Sequence, residues 1–109
     1  MGRSTLGFGL STVAAAGALL VQLAYAHSPV CSCFDNGDDT ITCEGGFSDG
    51  ASAAGVAIRV VDARERMLID GKMDAAGTFS FKKPAGEYHV VFDAGQSHVV
   101  TIYGGDIVE

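Results

Sequence analysis

The sequence predicts an all-β protein, an antiparallel Greek-key β-sandwich of about seven short strands preceded by an N-terminal hydrophobic helix. Three observations lead to this fold class. Short runs rich in β-branched and aromatic residues recur along the chain, turns rich in Gly, Asp and Asn separate them, and no helical pattern follows residue 26.

The N-terminal segment, residues 1–26, has the organisation of a secretory signal peptide. Arg3 supplies a positive charge, an apolar run extends from Leu6 to Ala26, and Ala24-Tyr25-Ala26 is a small-x-small cleavage site. Cleavage there makes His27 the first residue of the mature protein. The run is also long enough to span a bilayer, so an uncleaved membrane anchor stays open as the alternative. In both cases the remainder is exported to the periplasm or another extracytoplasmic site.

The exported domain, residues 27–109, contains the predicted strands. An Asn36-Gly37 turn signal joins the first two as a hairpin. In the fifth run, the alternation of side chains predicts that Phe79 and Phe81 face the core. In chain order the seven runs are VCSCF, TITCEGGF, VAIRVVDA, MLIDGK, TFSFK, YHVVF and HVVTIY.

The register of the last predicted hairpin decides where two histidines point. With an even number of residues in its loop, His89 and His98 share one face of the sheet. With an odd number they lie on opposite faces, because side chains along a strand alternate with a period of two. The sequence leaves both registers open. The even register would give the following core face: Tyr88, Val90, Phe92, Val99 and Tyr103.

Composition limits the functions that the chain can have. The formal net charge is −6, and it becomes −7 when Arg3 is removed with the leader. Such an acidic surface argues against nucleic acid and against an anionic membrane surface as partners, and is compatible with cations. The sequence contains no Gly-x-Ser-x-Gly elbow, no Cys-x-x-Cys pair and no phosphate-binding loop. It therefore predicts a protein that is not an enzyme.

Three cysteines, Cys31, Cys33 and Cys43, lie close together near the start of the exported domain. In an oxidising compartment this number predicts one disulfide and one leftover thiol. Cys31 and Cys33 are two residues apart on a predicted strand and point the same way, so the pattern favours a bridge from Cys43 to one of them. A soft-metal thiolate site is the alternative.

The order of motifs from His27 onward carries a resemblance to a known family. The segments GDDTITCEGGFSDG, LIDGKMDAAGTFSF and FDAGQSH follow one another in the exported domain. This domain resembles the carboxypeptidase-regulatory-like, or prealbumin-like, class, and more narrowly the additional periplasmic component of nickel and cobalt transporters of the energy-coupling-factor type. The resemblance implies an accessory of nickel or cobalt uptake with a membrane permease complex as partner. It also matches His27 and His98 to the metal-holding positions, whereas the three cysteines depart from the family's pattern.

The residues themselves offer a set of metal ligands. An N-terminal His27 has an imidazole and a free α-amine, which together chelate ions such as Ni²⁺, Cu²⁺ or Zn²⁺. Pro29 has no N–H, so backbone amides cannot complete the coordination, and His98, His89 or the cysteines must supply the other donors. The expected ligands are therefore His27, His98 and His89, for Ni, Co, Cu or Zn. The alternative is a structural or protein-interaction module of a membrane or periplasmic assembly that binds no metal.

Overall fold

The computed structural model describes residues 28–109, which form seven strands in two antiparallel sheets. The all-β class and the seven predicted strands are confirmed, whereas the predicted leader helix and His27 lie outside the described residues. Within the described range, no helix has the length and apolar character needed to cross a membrane. The elements are β1 Pro29–Asp35, β2 Thr40–Phe47, β3 Ala57–Asp62, β4 Met67–Lys72, β5 Thr78–Lys82, β6 Tyr88–Asp93, β7 Val99–Tyr103 and a 3-10 helix at Gly104–Asp106.

The two sheets differ in size, with three strands in one and four in the other. One sheet has the strand order β1-β2-β5 and the other has the order β4-β3-β6-β7. The hairpins β1–β2, β3–β4 and β6–β7 keep neighbours in one sheet, and the chain changes sheets after β2, after β4 and after β5. The result is a sandwich-like fold in which strand pairing builds each sheet and the buried side chains between the sheets hold the two layers together.

The core lies between the inner faces of the two sheets. Alternate residues along each strand point inward, as the period of two requires. Phe81 is buried and Phe79 packs against the core, which confirms the predicted direction of both rings. Gly45 leaves room for the ring of Phe92, because a Cβ at this position would lie 2.6 Å from the Phe92 Cε1 atom. The fully buried side chains are Ile41, Cys43, Ile58, Val60, Val90 and Phe92.

The last hairpin adopts the odd register. The loop 94–98 joins β6 to β7, and His89 pairs with Tyr103. His89 and Tyr103 therefore share the outer face of the four-stranded sheet, whereas the parity of position 98 places His98 on the inner side. The core face carries Val100 and Ile102 in place of the residues expected for an even loop, Val99 and Tyr103, which are exposed.

The sandwich has two ends that are distinguished by the course of β1. At one end, the Ser48 N–H donates to the Ser28 carbonyl (2.8 Å), next to the end of β2. At the other end, the Asp35 N–H donates to the carbonyl of Val108 (2.9 Å), which follows β7. β1 and β7 are in contact. Both strands end beside the C-terminal segment 104–108, which follows β7 directly and is bonded to Asp35 through Val108, so they run side by side in the same direction. We call these the Ser28 end, where β7 begins, and the Tyr88 end, where β7 finishes.

Asp74 holds the turn between β4 and β5. Its carboxylate accepts hydrogen bonds from the Thr78 N–H (2.9 Å), the Ala76 N–H (2.9 Å) and the Thr78 hydroxyl (2.8 Å). These bonds, led by the one from the Thr78 amide, lower the pKa of Asp74. A depressed pKa in the folded state means that the stabilisation is present above the unfolded value of about 3.9 and is lost as the pH falls through the folded value.

We expect Asp74→Asn to reduce the acid sensitivity of the fold. The variant is less stable than the wild type at pH 7, but it loses less further stability between pH 5 and pH 2, because position 74 no longer takes up a proton on unfolding. Urea denaturation at a series of pH values measures this. Asp70→Asn, on the exposed strand β4, is the matched control. An acid limb of Asp74→Asn as steep as that of the wild type would contradict the prediction.

Candidate functional site

The disulfide joins Cys33 to Cys43. These residues are directly opposed in the β1–β2 register, with their Cα atoms 4.0 Å apart, whereas Cys31 lies opposite Gly45. The predicted bridge from Cys43 is thus confirmed, and the register selects Cys33 as its partner.

The remaining thiol, Cys31, is half-buried on the inner side of β1. Desolvation raises the pKa of this thiol to about 11, so it is protonated at neutral pH. Because the thiolate is the form that binds metals and attacks electrophiles, Cys31 is a poor ligand and nucleophile in this state. With Cys33 and Cys43 oxidised, the three cysteines do not form a thiolate cluster for a soft metal.

His98 lies at the Ser28 end, in the turn that leads into β7. Its N–H donates to the Gly95 carbonyl (2.7 Å), and its own carbonyl accepts from the Ala94 N–H (2.9 Å). Both backbone groups are therefore satisfied within the turn, and the half-buried imidazole is attached to a fixed backbone. His98 is a usable ligand in a defined place, directly before β7.

His89 lies at the Tyr88 end, on the outer face of the sheet. It is flanked in register by Val61 and Tyr103, and its ring centroid is 5.8 Å from that of Tyr103. His98 precedes β7 and Tyr103 ends it, which at the rise of an extended strand separates the two histidines by about 17 Å. One metal ion cannot bind both of them.

The described residues alone do not complete a metal centre. Within residues 28–109, no group of three or more His, Cys, Asp or Glu side chains is arranged to hold an ion. A site at the Ser28 end depends on His27, which precedes the described range. Ser28, the next residue, lies at the same end as His98, whereas His89 lies at the other end.

A groove of about 750 Å³ opens at the Tyr88 end, around His89. It lies where the β3–β4 turn, the start of β6, the end of β7 and the 3-10 helix meet. No local sequence pattern indicates this groove, because its walls come from segments that are far apart in the chain. The residues that line it include Asp62, Glu65, Glu87, Tyr88, His89, Thr101 and Tyr103.

The electrostatics of this groove are acidic. Asp62 accepts hydrogen bonds from the Arg66 and Arg64 amides and forms an ion pair with Arg66 (Nε to Oδ2, 3.2 Å). These contacts, led by the Arg66 amide, lower the pKa of Asp62 and keep it ionised. Within the described range, the carboxylates of Glu65 and Glu87 form no ion pair.

The two ends of the sandwich thus hold separate candidates, a histidine at the Ser28 end and an acidic groove with aromatic rings at the Tyr88 end. Comparisons with protein-family models, with curated proteins and with solved structures give no match for this chain.

Proposed function

We propose that the protein is an exported, non-enzymatic accessory of transition-metal handling that serves nickel or cobalt uptake. Processing after Ala26 would expose His27, whose imidazole and α-amine bind a divalent cation, and His98 would add a second imidazole. The ion would then pass to a membrane permease complex. We also propose that the strands are connected as a Greek key and that residues 1–26 are the leader that is removed.

One observation carries this proposal beyond the sequence pattern. β1 and β7 lie side by side and begin at the same end, so Ser28 and His98, which precede these two strands, lie at that end. This arrangement supports His98 as the partner of His27. We leave His89 out of the proposed site, since it lies at the opposite end and on the outer face.

The chemistry of the donors and the redox state are consistent with this function. Imidazole and amine bind metals only through their neutral forms, so affinity falls as acid protonates them. The Cys33–Cys43 disulfide agrees with export, because such bonds persist mainly in oxidising compartments.

The alternative is a metal-free interaction module, and the outer face of the four-stranded sheet favours it. Met67 and Tyr103 lie at opposite edges of this face and are 55% and 62% exposed. In that function the disulfide fastens the first hairpin, and both histidines are bystanders. An uncleaved leader would further make the domain an anchored subunit of a membrane assembly.

Calorimetric titration of the purified protein with Ni²⁺, and in parallel with Co²⁺ and Cu²⁺, tests the metal proposal. We expect saturable binding that weakens at least about tenfold in His27→Ala and in His98→Ala, since even outer-shell partners of a metal contribute that much. His89→Ala is the matched control and should bind like the wild type. Binding should also be weaker at pH 5 than at pH 7.5.

Three results would contradict the proposal. Absence of saturable binding by the wild type would leave the interaction module as the better function. An equal loss of affinity in His89→Ala would show that the ion is not held at the Ser28 end. Retention of residues 1–26, detected by mass spectrometry of the amino terminus, would mean that no free amine exists on His27.

A further inference from the structure

The groove at the Tyr88 end is a second candidate site, separate from the proposed metal site. Its outer wall carries an exposed aromatic ring, Tyr103, which packs against the His89 ring with their centroids 5.8 Å apart. The register holds these two rings as direct cross-strand neighbours on β6 and β7. They therefore form a platform of two neighbouring rings on the outer face.

The inner wall of the groove includes a buried tyrosine, Tyr88. Tyr88 lines the groove, is only 8% exposed, and has a hydroxyl that makes no hydrogen bond within the described part of the chain. Its ring is wedged between Phe81, in an edge-to-face contact at 6.3 Å, and the backbone of Gly104. A buried hydroxyl without a partner costs free energy.

The groove is lined by acidic side chains and by no lysine or arginine. Glu65 and Glu87 line it from two different loops, and no Lys or Arg is among its lining residues. Arg66, in the turn beside the groove, is engaged by Asp62. A positively charged ligand would therefore meet uncompensated carboxylates on two sides of the platform.

We propose that this groove binds an arginine side chain of a partner polypeptide. A guanidinium stacks on aromatic faces and pairs with carboxylates, which are the two features that the groove offers. The volume, about 750 Å³, is within the range of ligand sites but exceeds one side chain, so the groove also receives the residues on either side of the arginine. An extended segment fits an open groove next to β7, which is an edge strand.

The full-length protein, labelled with ¹⁵N and titrated with acetyl-Gly-Gly-Arg-Gly-Gly-amide, provides the test. We expect saturable shifts of the amide signals of His89, Thr101 and Tyr103, with little change around His98. The same peptide with citrulline in place of arginine has nearly the same shape but no charge, and it should cause no saturable shifts.

Variants locate the binding. The double variant Glu65→Gln/Glu87→Gln and the variant Tyr103→Ser should each weaken binding about fivefold, as expected for exposed ion pairs and a cation–π contact. Glu44→Gln, on the exposed side of the three-stranded sheet, is the matched control and should leave binding unchanged.

Absence of shifts, equal binding of the citrulline peptide, or shifts that Glu44→Gln weakens as much as the groove variants would overturn the proposal. Because the groove and His98 lie at opposite ends, the outcome is independent of the Ni²⁺ titration.

Discussion

Replacing Phe92 by alanine is expected to lower the free energy of unfolding by about 4 kcal/mol. Phe92 is 0% exposed and has the largest side chain among the fully buried residues. Its ring extends from β6 towards β2 of the opposite sheet, over Gly45, and so bridges the two layers. Truncation removes this contact and leaves a cavity that a glycine on the facing strand cannot fill.

Urea denaturation followed by circular dichroism measures this loss. Phe34→Ala is the matched control, because Phe34 is 37% exposed on the outer side of β1, and it should cost about 1 kcal/mol or less. If Phe92→Ala does not fold, Phe92→Leu should still fold with a smaller loss, because more of the volume is retained. Equal losses in Phe34→Ala and Phe92→Ala would contradict the assignment of the core.

Loss of the Cys33–Cys43 disulfide is expected to lower the free energy of unfolding by about 3 kcal/mol, because the bridge closes a short loop and restricts the unfolded chain. A domain of this size buries a modest share of its surface, and total stabilities of about 5–15 kcal/mol are usual, so this loss is large. The variant Cys33→Ala and the reduced wild type should therefore both unfold at much lower urea concentrations.

Cys31→Ala separates the bridge from the free thiol. It retains the disulfide, so it should stay close to the wild type and should still lose stability when a reductant is added. Cys33→Ala should be insensitive to reductant. A wild type whose unfolding midpoint does not change on reduction would show that the bridge does not form or does not stabilise the fold.

The strands were predictable because their signals are local. The alternation in AIRVVD and TFSFK and the turn residues of DNGDD and MDAAG appear in consecutive residues, and each predicted run overlaps an observed strand. The bridge from Cys43 was predictable from the same alternation, which brings Cys31 and Cys33 to one side of a strand. The choice of Cys33 required the register, since one step along β1 pairs each residue with a different partner.

The positions of the candidate ligands were less predictable. Two registers of the last hairpin satisfied the hydrophobic pattern, and only the observed pairing of His89 with Tyr103 excluded the one that placed both histidines on one face. Likewise, no local signal indicated the groove, whose lining residues Glu65, Glu87 and Tyr103 come from three different segments.

The sequence by itself determined the all-β class, the seven strands, the inward direction of Phe79 and Phe81 and the involvement of Cys43 in a bridge. Tertiary structure alone decided which cysteine is its partner, which histidine shares an end with Ser28, and where an acidic groove forms. The physical reason is the range of the forces involved. Side-chain alternation and turn preferences act over a few residues, whereas strand register and the meeting of distant loops are fixed by packing the two sheets against each other.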